Sequence, residues 1–311
     1  MRSAFLATLE ELAAVDPRIN LFVGDLGFTV IEPFAKRFPK QFLNVGVAEQ
    51  NMTGLAAGMA LSGKIVFTYS IANFPTLRCL EQIRNDGCYH KANIKIVSVG
   101  GGLAYGALGS SHQATEDLAI LRALPGMIVV APGDPAEAAH ATRAVAAHSG
   151  TCYLRLGKAG EPKVHGGPID FRLGRALTVT EGRDITIIAT GAMLEPCRRA
   201  AAGLAESGVS TRLLSMHTIK PIDAEAICRA ANETGAILTV EEHNVIGGLG
   251  GAVSEVLAQQ RGSHPPFRIM GLQDSFCREV GSQEHLRKTC GLSVPDIIKT
   301  ARRLIGQTVT S

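Results

Sequence analysis

From Asn20 onward the chain repeats one unit, a short apolar run suited to a β-strand followed by a longer stretch with helical spacing. The runs "NLFVG" (20–24), "FLNVG" (42–46), "KIVFTYS" (64–70), "IKIVSVG" (94–100), "MIVVAP" (127–132) and "TCYLRLG" (151–157) alternate with helical patterns at 49–61, 77–89, 117–124 and 135–148. Strands that alternate with helices in this way build a parallel sheet covered on both faces. The pattern breaks over 158–175, "KAGEPKVHGGPIDFRLGR", where Gly, Pro and charge gather. It then resumes with strands at 184–190, 210–216, 236–242 and 267–272 and helices at 194–207, 223–234, 250–260 and near 293–305. The expected fold is α/β, with two doubly wound domains of mostly parallel sheet, residues 1–160 and 176–311, around a linker at 161–175. The 311 residues are enough for both.

The opening "MRSAFLATLEELAAVDP" places Phe5, Leu6, Leu9, Leu12 and Ala13 at helical spacing with Glu10 and Glu11 between them. It reads as an amphipathic first helix rather than a leader. The net charge is 31 − 28 = +3 with no dense Lys/Arg block, so neither nucleic acid nor an anionic membrane is expected as a partner. No apolar run is long enough to span a bilayer. Seven scattered cysteines (Cys79, Cys88, Cys152, Cys197, Cys228, Cys277, Cys290) make no CxxC pair and no zinc spacing. They suit reduced thiols in the cytoplasm, and no metal ligand is assigned on this chain.

One carboxylate stands out. In "FLNVGVAEQNMTGLAAGMALSG" (42–63), Glu49 opens a helix made almost wholly of Gly, Ala, Met and Leu. An acidic residue at a helix start is commonly explained by the helix dipole. Here Val45, Val47, Ala48, Met52, Leu55 and Ala56 offer little polar company, and Gly46, Gly54 and Gly58 permit close backbone approach. A carboxylate in apolar surroundings can exchange a proton near neutrality.

The stretch 44–63, "SSHQATEDLAILRALPGMIVVAPGDPAEA" (110–138) and "YLRLGK" (153–158) resemble the pyrimidine-binding domain of the transketolase family of thiamine-diphosphate enzymes. "LLSMHTIKPID" (213–223) and "TVEEHNVIGGLGGAVSEVL" (239–257) resemble that family's C-terminal domain. The resemblance spans nearly the whole chain in the right order. It implies that Glu49 is catalytic, bonding a ring nitrogen of the aminopyrimidine and favouring the imino tautomer that takes the thiazolium proton. The small-residue helix would let the carboxylate approach the ring. It also implies cofactor contacts from Asp25 and from aromatic rings that stack on the pyrimidine, with Phe67, Tyr69 and Phe74 as the candidates. His112 in "GSSHQATED" would be catalytic and would face substrate oxygens, with Gln113 and Glu116 as weaker candidates and Gly100, Gly101 and Gly102 as a flexible approach to its loop.

The family's diphosphate and metal motif, a GDG followed by an Asn, has no match here. The resemblance therefore implies one subunit of a split enzyme, with thiamine diphosphate lying between it and an N-terminal partner subunit that holds Mg²⁺ or another divalent ion. A heterotetramer is the expected assembly. Leu108 stands where transketolases usually carry an Asp that reads a substrate hydroxyl, and Gly100 near the place of a phosphate-contacting His. Lys158 or Arg155 falls near a phosphate-contacting Arg. The expected reaction is transfer of a two-carbon ketol unit from a ketose, phosphorylated or modified, to an aldose.

Rival readings are the beta subunit of a 2-oxoacid dehydrogenase's decarboxylating component, deoxyxylulose-phosphate synthase chemistry, and a non-catalytic assembly subunit. The "SHQ" loop favours transketolase over the dehydrogenase. "GGLGG" (247–251) is only weakly like a dinucleotide loop. His217, His243 and His285 read as polar surface or interface residues.

Overall fold

A computed structural model describes residues 1–307, so the last four residues of the second expected domain lie outside the described part. The strands are β1 (Ile19–Val23), β2 (Phe42–Asn44), β3 (Ile65–Ile71), β4 (Ile94–Val99), β5 (Ile128–Val130), β6 (Cys152–Leu156), β7 (Leu177–Thr180), β8 (Ile185–Ala189), β9 (Thr211–Ser215), β10 (Thr218–Lys220), β11 (Ile237–Asn244) and β12 (Phe267–Leu272). They form a seven-stranded sheet in the order β10-β5-β6-β4-β3-β1-β2 and a five-stranded sheet in the order β12-β11-β8-β9-β7. Every neighbouring pair is parallel except β10 with β5 and β7 with β9.

The first sheet is sandwiched between helices, and β3 shows how. Val66 joins the cluster containing Met52, Ala56, Ala57 and Ala60 of the helix Glu49–Leu61. Phe67 and Tyr69 point the opposite way, as successive strand residues must. They join Phe5 of the helix Arg2–Val15, whose ring lies 6.0 Å from that of Tyr69.

The chain passes from β1 outward to β2, then crosses to the other side of β1 to lay down β3. At such a reversal the connections leave in opposite directions and a crevice opens beyond the carboxyl ends of the strands. The segments after β1, β2, β3, β4 and β6 begin at this same edge because those strands are parallel.

The two sheets interlock. β10 follows β9 of the second sheet but pairs antiparallel with β5 of the first. Lys220 Nζ donates to the carbonyls of Arg122 (2.9 Å) and Leu124 (2.5 Å). His217 is buried and stacked on Phe171 at 3.9 Å, and its burial lowers the imidazole pKa to about 4. His243 is buried too, accepting from Ala119 N–H at 3.3 Å through Nε2 while Nδ1 faces Asn244 O at 2.7 Å. Both histidines are thus interior groups at the contact between sheets, the interface alternative of the sequence reading and not the surface one. His285 is exposed and meets Glu279 at 2.9 Å.

The segment "GGLGG" runs into the helix Leu249–Ala258, but buried Glu241 already accepts from the N–H groups of Leu249 (2.6 Å) and Gly250 (2.7 Å). A carboxylate at that helix start takes the donors that a phosphate would need. The sequence pattern missed the helices Glu32–Arg37 and Gln283–Thr289 and the short strands β7 and β10. No helix of the described residues is long and apolar enough to cross a membrane.

Candidate active site

Glu49 is the first residue of its helix and its side chain is 1% exposed. Contrary to the expected apolar setting, both carboxylate oxygens are engaged. Ser70 Oγ, at the end of β3 and on the face away from Tyr69, donates to Oε1 at 2.9 Å. Arg78 Nη1 donates to Oε2 at 3.0 Å from a side chain that is 47% exposed. Gly24, just after β1, closes the third side: a Cβ there would stand 3.3 Å from Oε1. Glycine at 24 therefore lets backbone approach the carboxylate. Gly54 and Gly58, by contrast, face outward with nothing within 4 Å of a Cβ, so they do not bring the helix closer to any group of this chain.

Phe74 follows β3 in the turn leading to Arg78 and is partly exposed. The Arg78 guanidinium carbon lies 4.7 Å from the centre of its ring. The His112 ring meets Phe74 edge-on at 5.1 Å, and Ser111 Oγ lies 3.0 Å from His112 Nδ1. Glu49, Arg78, Phe74 and His112 thus form one contiguous track across the ends of β2, β3 and β4. Two buried polar atoms on its segments, Asn73 Oδ1 and Gln113 Nε2, have no hydrogen-bond partner among the described residues. Buried groups of this kind normally find one, so the track holds unused bonding capacity.

Phe67 and Tyr69 do not belong to it. Both are 0% exposed and packed in the core on the opposite face of the sheet, so their ring faces are covered by protein. Of the three aromatic candidates, only Phe74 lies beside Glu49's partner. Asp25 lies exposed after β1 in a left-handed backbone conformation (φ 53°). Its N–H donates to Asn44 Oδ1 (3.1 Å) and its Oδ1 accepts from Asn44 Nδ2 (2.9 Å), which ties the ends of β1 and β2 together beside Gly24.

Arg155 is likewise withdrawn. It is 5% exposed, with Nε on Asp117 Oδ2 (2.8 Å) and Nη2 on the carbonyls of Ala114 (2.7 Å) and Glu242 (3.1 Å). Its Nε and Nη2 donors are thus engaged inside the protein. Lys158, two residues beyond β6, is exposed and its ammonium lies 4.9 Å from the centre of the Tyr105 ring. Leu108 is 53% exposed on the turn Gly106–Leu108. That turn is braced by the second domain: Gly281 N–H donates to Gly106 O at 3.3 Å, and a Cβ at Gly106 would collide with Leu286.

Sequence reasoning missed Ser70 and Arg78. The sequence trace of Ser70 is its parity with Thr68 on β3, a small hydroxyl face opposite Phe67 and Tyr69. Arg78 reads as an ordinary polar position in a helical stretch.

The pyrimidine half of thiamine diphosphate fits this track: a buried carboxylate, a glycine beside it, a partly exposed aromatic ring and unused polar atoms. Among the described residues no group of three or more His, Cys, Asp or Glu gathers as for a metal ion.

Residues 1–161 match the family described as "Transketolase, pyrimidine binding domain", and residues 174–297 match "Transketolase, C-terminal domain". The chain is 40% identical over 306 residues to an apulose-4-phosphate transketolase subunit of Phocaeicola vulgatus, covering 98% of this chain and 97% of that protein. It is 37% identical over 305 residues to the 6-deoxy-6-sulfo-D-fructose transketolase subunit SqwH of Clostridium sp. strain MSTE9, covering 98% and 94%. A solved structure described as a split gene transketolase, inactive beta4 tetramer, superposes with a TM-score of 0.90 at 39% identity, covering 98% of this chain and 97% of the other.

Proposed function

We propose, on the premise that the chain belongs to the transketolase family, a division of labour between this subunit and a partner. The chain is one subunit of a split, thiamine-diphosphate-dependent transketolase. The observation that carries the reading is Glu49, buried and held by Ser70 and Arg78 beside Phe74 and His112. When bound, thiamine diphosphate supplies the carbanion chemistry of ketol transfer. Glu49 would hold a proton toward a pyrimidine nitrogen, with Ser70 fixing the carboxylate's orientation. Phe74 offers a flat apolar surface to the ring and shields it from water. Ser111 engages His112 Nδ1, which leaves Nε2 for a substrate oxygen.

The partner subunit contributes the diphosphate and divalent-metal ligands, and the pair doubles into a heterotetramer. Support comes from the solved relative described as an inactive beta4 tetramer and from the outer face of the Glu49 helix. There Val47, Leu55 and Leu61 are exposed beside the open glycines Gly54 and Gly58, a surface on which another backbone can lie closely. The cytoplasm is the compartment that suits its unpaired cysteines.

The donor is proposed to be a modified ketose, used in preference to the common phosphoketoses. Leu108 cannot accept a hydrogen bond from a sugar hydroxyl, and the relatives' names refer to apulose 4-phosphate and a 6-deoxy-6-sulfo sugar. Lys158 is the cation available to an anionic terminus, since Arg155 is consumed internally. A donor panel with the assembled enzyme tests this: xylulose 5-phosphate, fructose 6-phosphate, and analogues with the terminal phosphate replaced. A modified ketose is expected to have the highest kcat/KM, and Leu108→Asp is expected to move the ratio toward the common phosphoketoses by about tenfold. Xylulose 5-phosphate as by far the best donor, with no ratio changed by Leu108→Asp, would refute the substrate assignment. Absence of ketol transfer from every donor, in the presence of the partner, would refute the function itself.

His112→Ala is expected to raise the donor KM or lower kcat by about tenfold, the scale of one lost hydrogen bond, with thiamine diphosphate affinity nearly unchanged. Steady-state kinetics set against calorimetric cofactor binding separates the two. A variant that loses cofactor but handles donor normally would place His112 elsewhere in the mechanism.

A further inference from the structure

Arg78 holds Glu49 but has been given no role toward the cofactor. Its guanidinium lies over Phe74 at 4.7 Å and donates to Glu49 Oε2 at 3.0 Å. A planar group that stacks on an aromatic face and gives an N–H to a carboxylate makes the same pair of contacts that an aminopyrimidine ring needs there. An unpaired buried carboxylate is costly, and Glu49 is 1% exposed. Arg78 compensates it from a position that water reaches, with 47% of its side chain exposed. Half-exposed ion pairs are weakly held, and a long flexible stem lets the guanidinium leave without disturbing the backbone. Ser70, buried on the sheet, stays on Oε1.

We infer that Arg78 is a positioning residue that acts through Glu49: it holds the carboxylate and the Phe74 face as a stand-in for the aminopyrimidine and yields both when the cofactor binds. The inference rests on the thiamine-diphosphate reading and extends it. Arg78 and the pyrimidine compete for one oxygen and one ring. Arg78 therefore keeps the site in shape at the expense of cofactor affinity.

The test is titration calorimetry of thiamine diphosphate with Mg²⁺ into the complex of this chain and its partner, for wild type, Arg78→Lys and Arg78→Met. Arg78→Met is expected to bind roughly three- to thirtyfold tighter, the combined scale of an exposed ion pair and a cation–π contact. Arg78→Lys, which keeps the charge without the plane, is expected to fall between. In the isolated chain the order reverses: urea midpoints should fall from wild type to Lys to Met, because Glu49 loses its partner. A purely structural role would lower the midpoint without tightening the cofactor. Cofactor binding by Arg78→Met that equals or is weaker than wild type overturns the inference. If that variant does not fold, Arg78→Lys decides, by binding tighter than wild type or not. If the wild-type complex binds no thiamine diphosphate, the functional reading falls and the inference with it; if the wild type binds and neither variant tightens, only the inference falls.

Discussion

Glu49→Gln is expected to lower the turnover of the assembled enzyme about 10²–10⁴-fold, the range spanned by positioned proton-transfer groups, with the fold unchanged. The amide retains an oxygen that can accept from Ser70, but it turns an NH₂ toward Arg78 and can neither give nor take a proton at a ring nitrogen. The cost in stability is small, since Arg78 is half exposed and water can replace its lost acceptor. The decisive measurement is proton–deuterium exchange at the thiazolium carbon in the complex, together with a thermal melt of the isolated chain. Exchange at the wild-type rate would remove Glu49 from the mechanism. Slow exchange with a lowered melting temperature would mean the variant had damaged the site rather than its chemistry.

Arg155→Met should have the opposite profile, a large loss of stability. Breaking a buried ion pair by removing one partner typically costs about 3–5 kcal/mol. Asp117 Oδ2 accepts from both Arg155 Nε (2.8 Å) and the Tyr153 hydroxyl (2.5 Å), while Asp117 Oδ1 has no partner among the described residues. Burial and the neighbouring Asp117 carboxylate push the Tyr153 phenol pKa well above its usual value, so it serves as a donor at any working pH. Loss of Arg155 also removes its bonds to the carbonyls of Ala114 and Glu242, which join the His112 loop to β11 of the second domain. Urea denaturation of the isolated chain measures the effect. The double variant Arg155→Met with Asp117→Leu should recover part of it, because the uncompensated charge is gone. A single variant with wild-type stability and a raised donor KM would return Arg155 to the substrate site.

The two residues illustrate how the site could and could not be read in advance. The place of Glu49 on the track was legible because a lone acid at the start of a Gly/Ala-rich helix is locally anomalous; its role is what the family resemblance implies. His112's place was legible for a similar reason, a loop histidine in a distinctive segment. Arg155 and Lys158 were indistinguishable as cations near the end of one strand. They are close neighbours in the chain, yet one points into the contact between domains and the other into solvent. Phe67, Tyr69 and Phe74 were equally hard to separate. β3 sets Ile65, Phe67, Tyr69 and Ile71 on one face and Val66, Thr68 and Ser70 on the other, but both faces are buried, and only the positions of Phe5 and Glu49 decide which ring is core.

What the sequence determined by itself is most of the secondary elements and the class they build. Apolar runs buried on both faces and helices between them leave little choice but parallel α/β layers, and the helix Glu49–Leu61 and strand β12 were placed to the residue. These features depend on backbone periodicity and short-range burial, which neighbouring residues encode. The tertiary structure alone decided the pairing of β10 with β5, the burial of His217 and His243, and the meeting of Ser70, Arg78 and Glu49. Each depends on groups 21 or more residues apart in the chain, brought together by the crossover at β1 and the docking of one sheet on the other. Local propensity carries no record of a partner that distant; the geometry of packing supplies it.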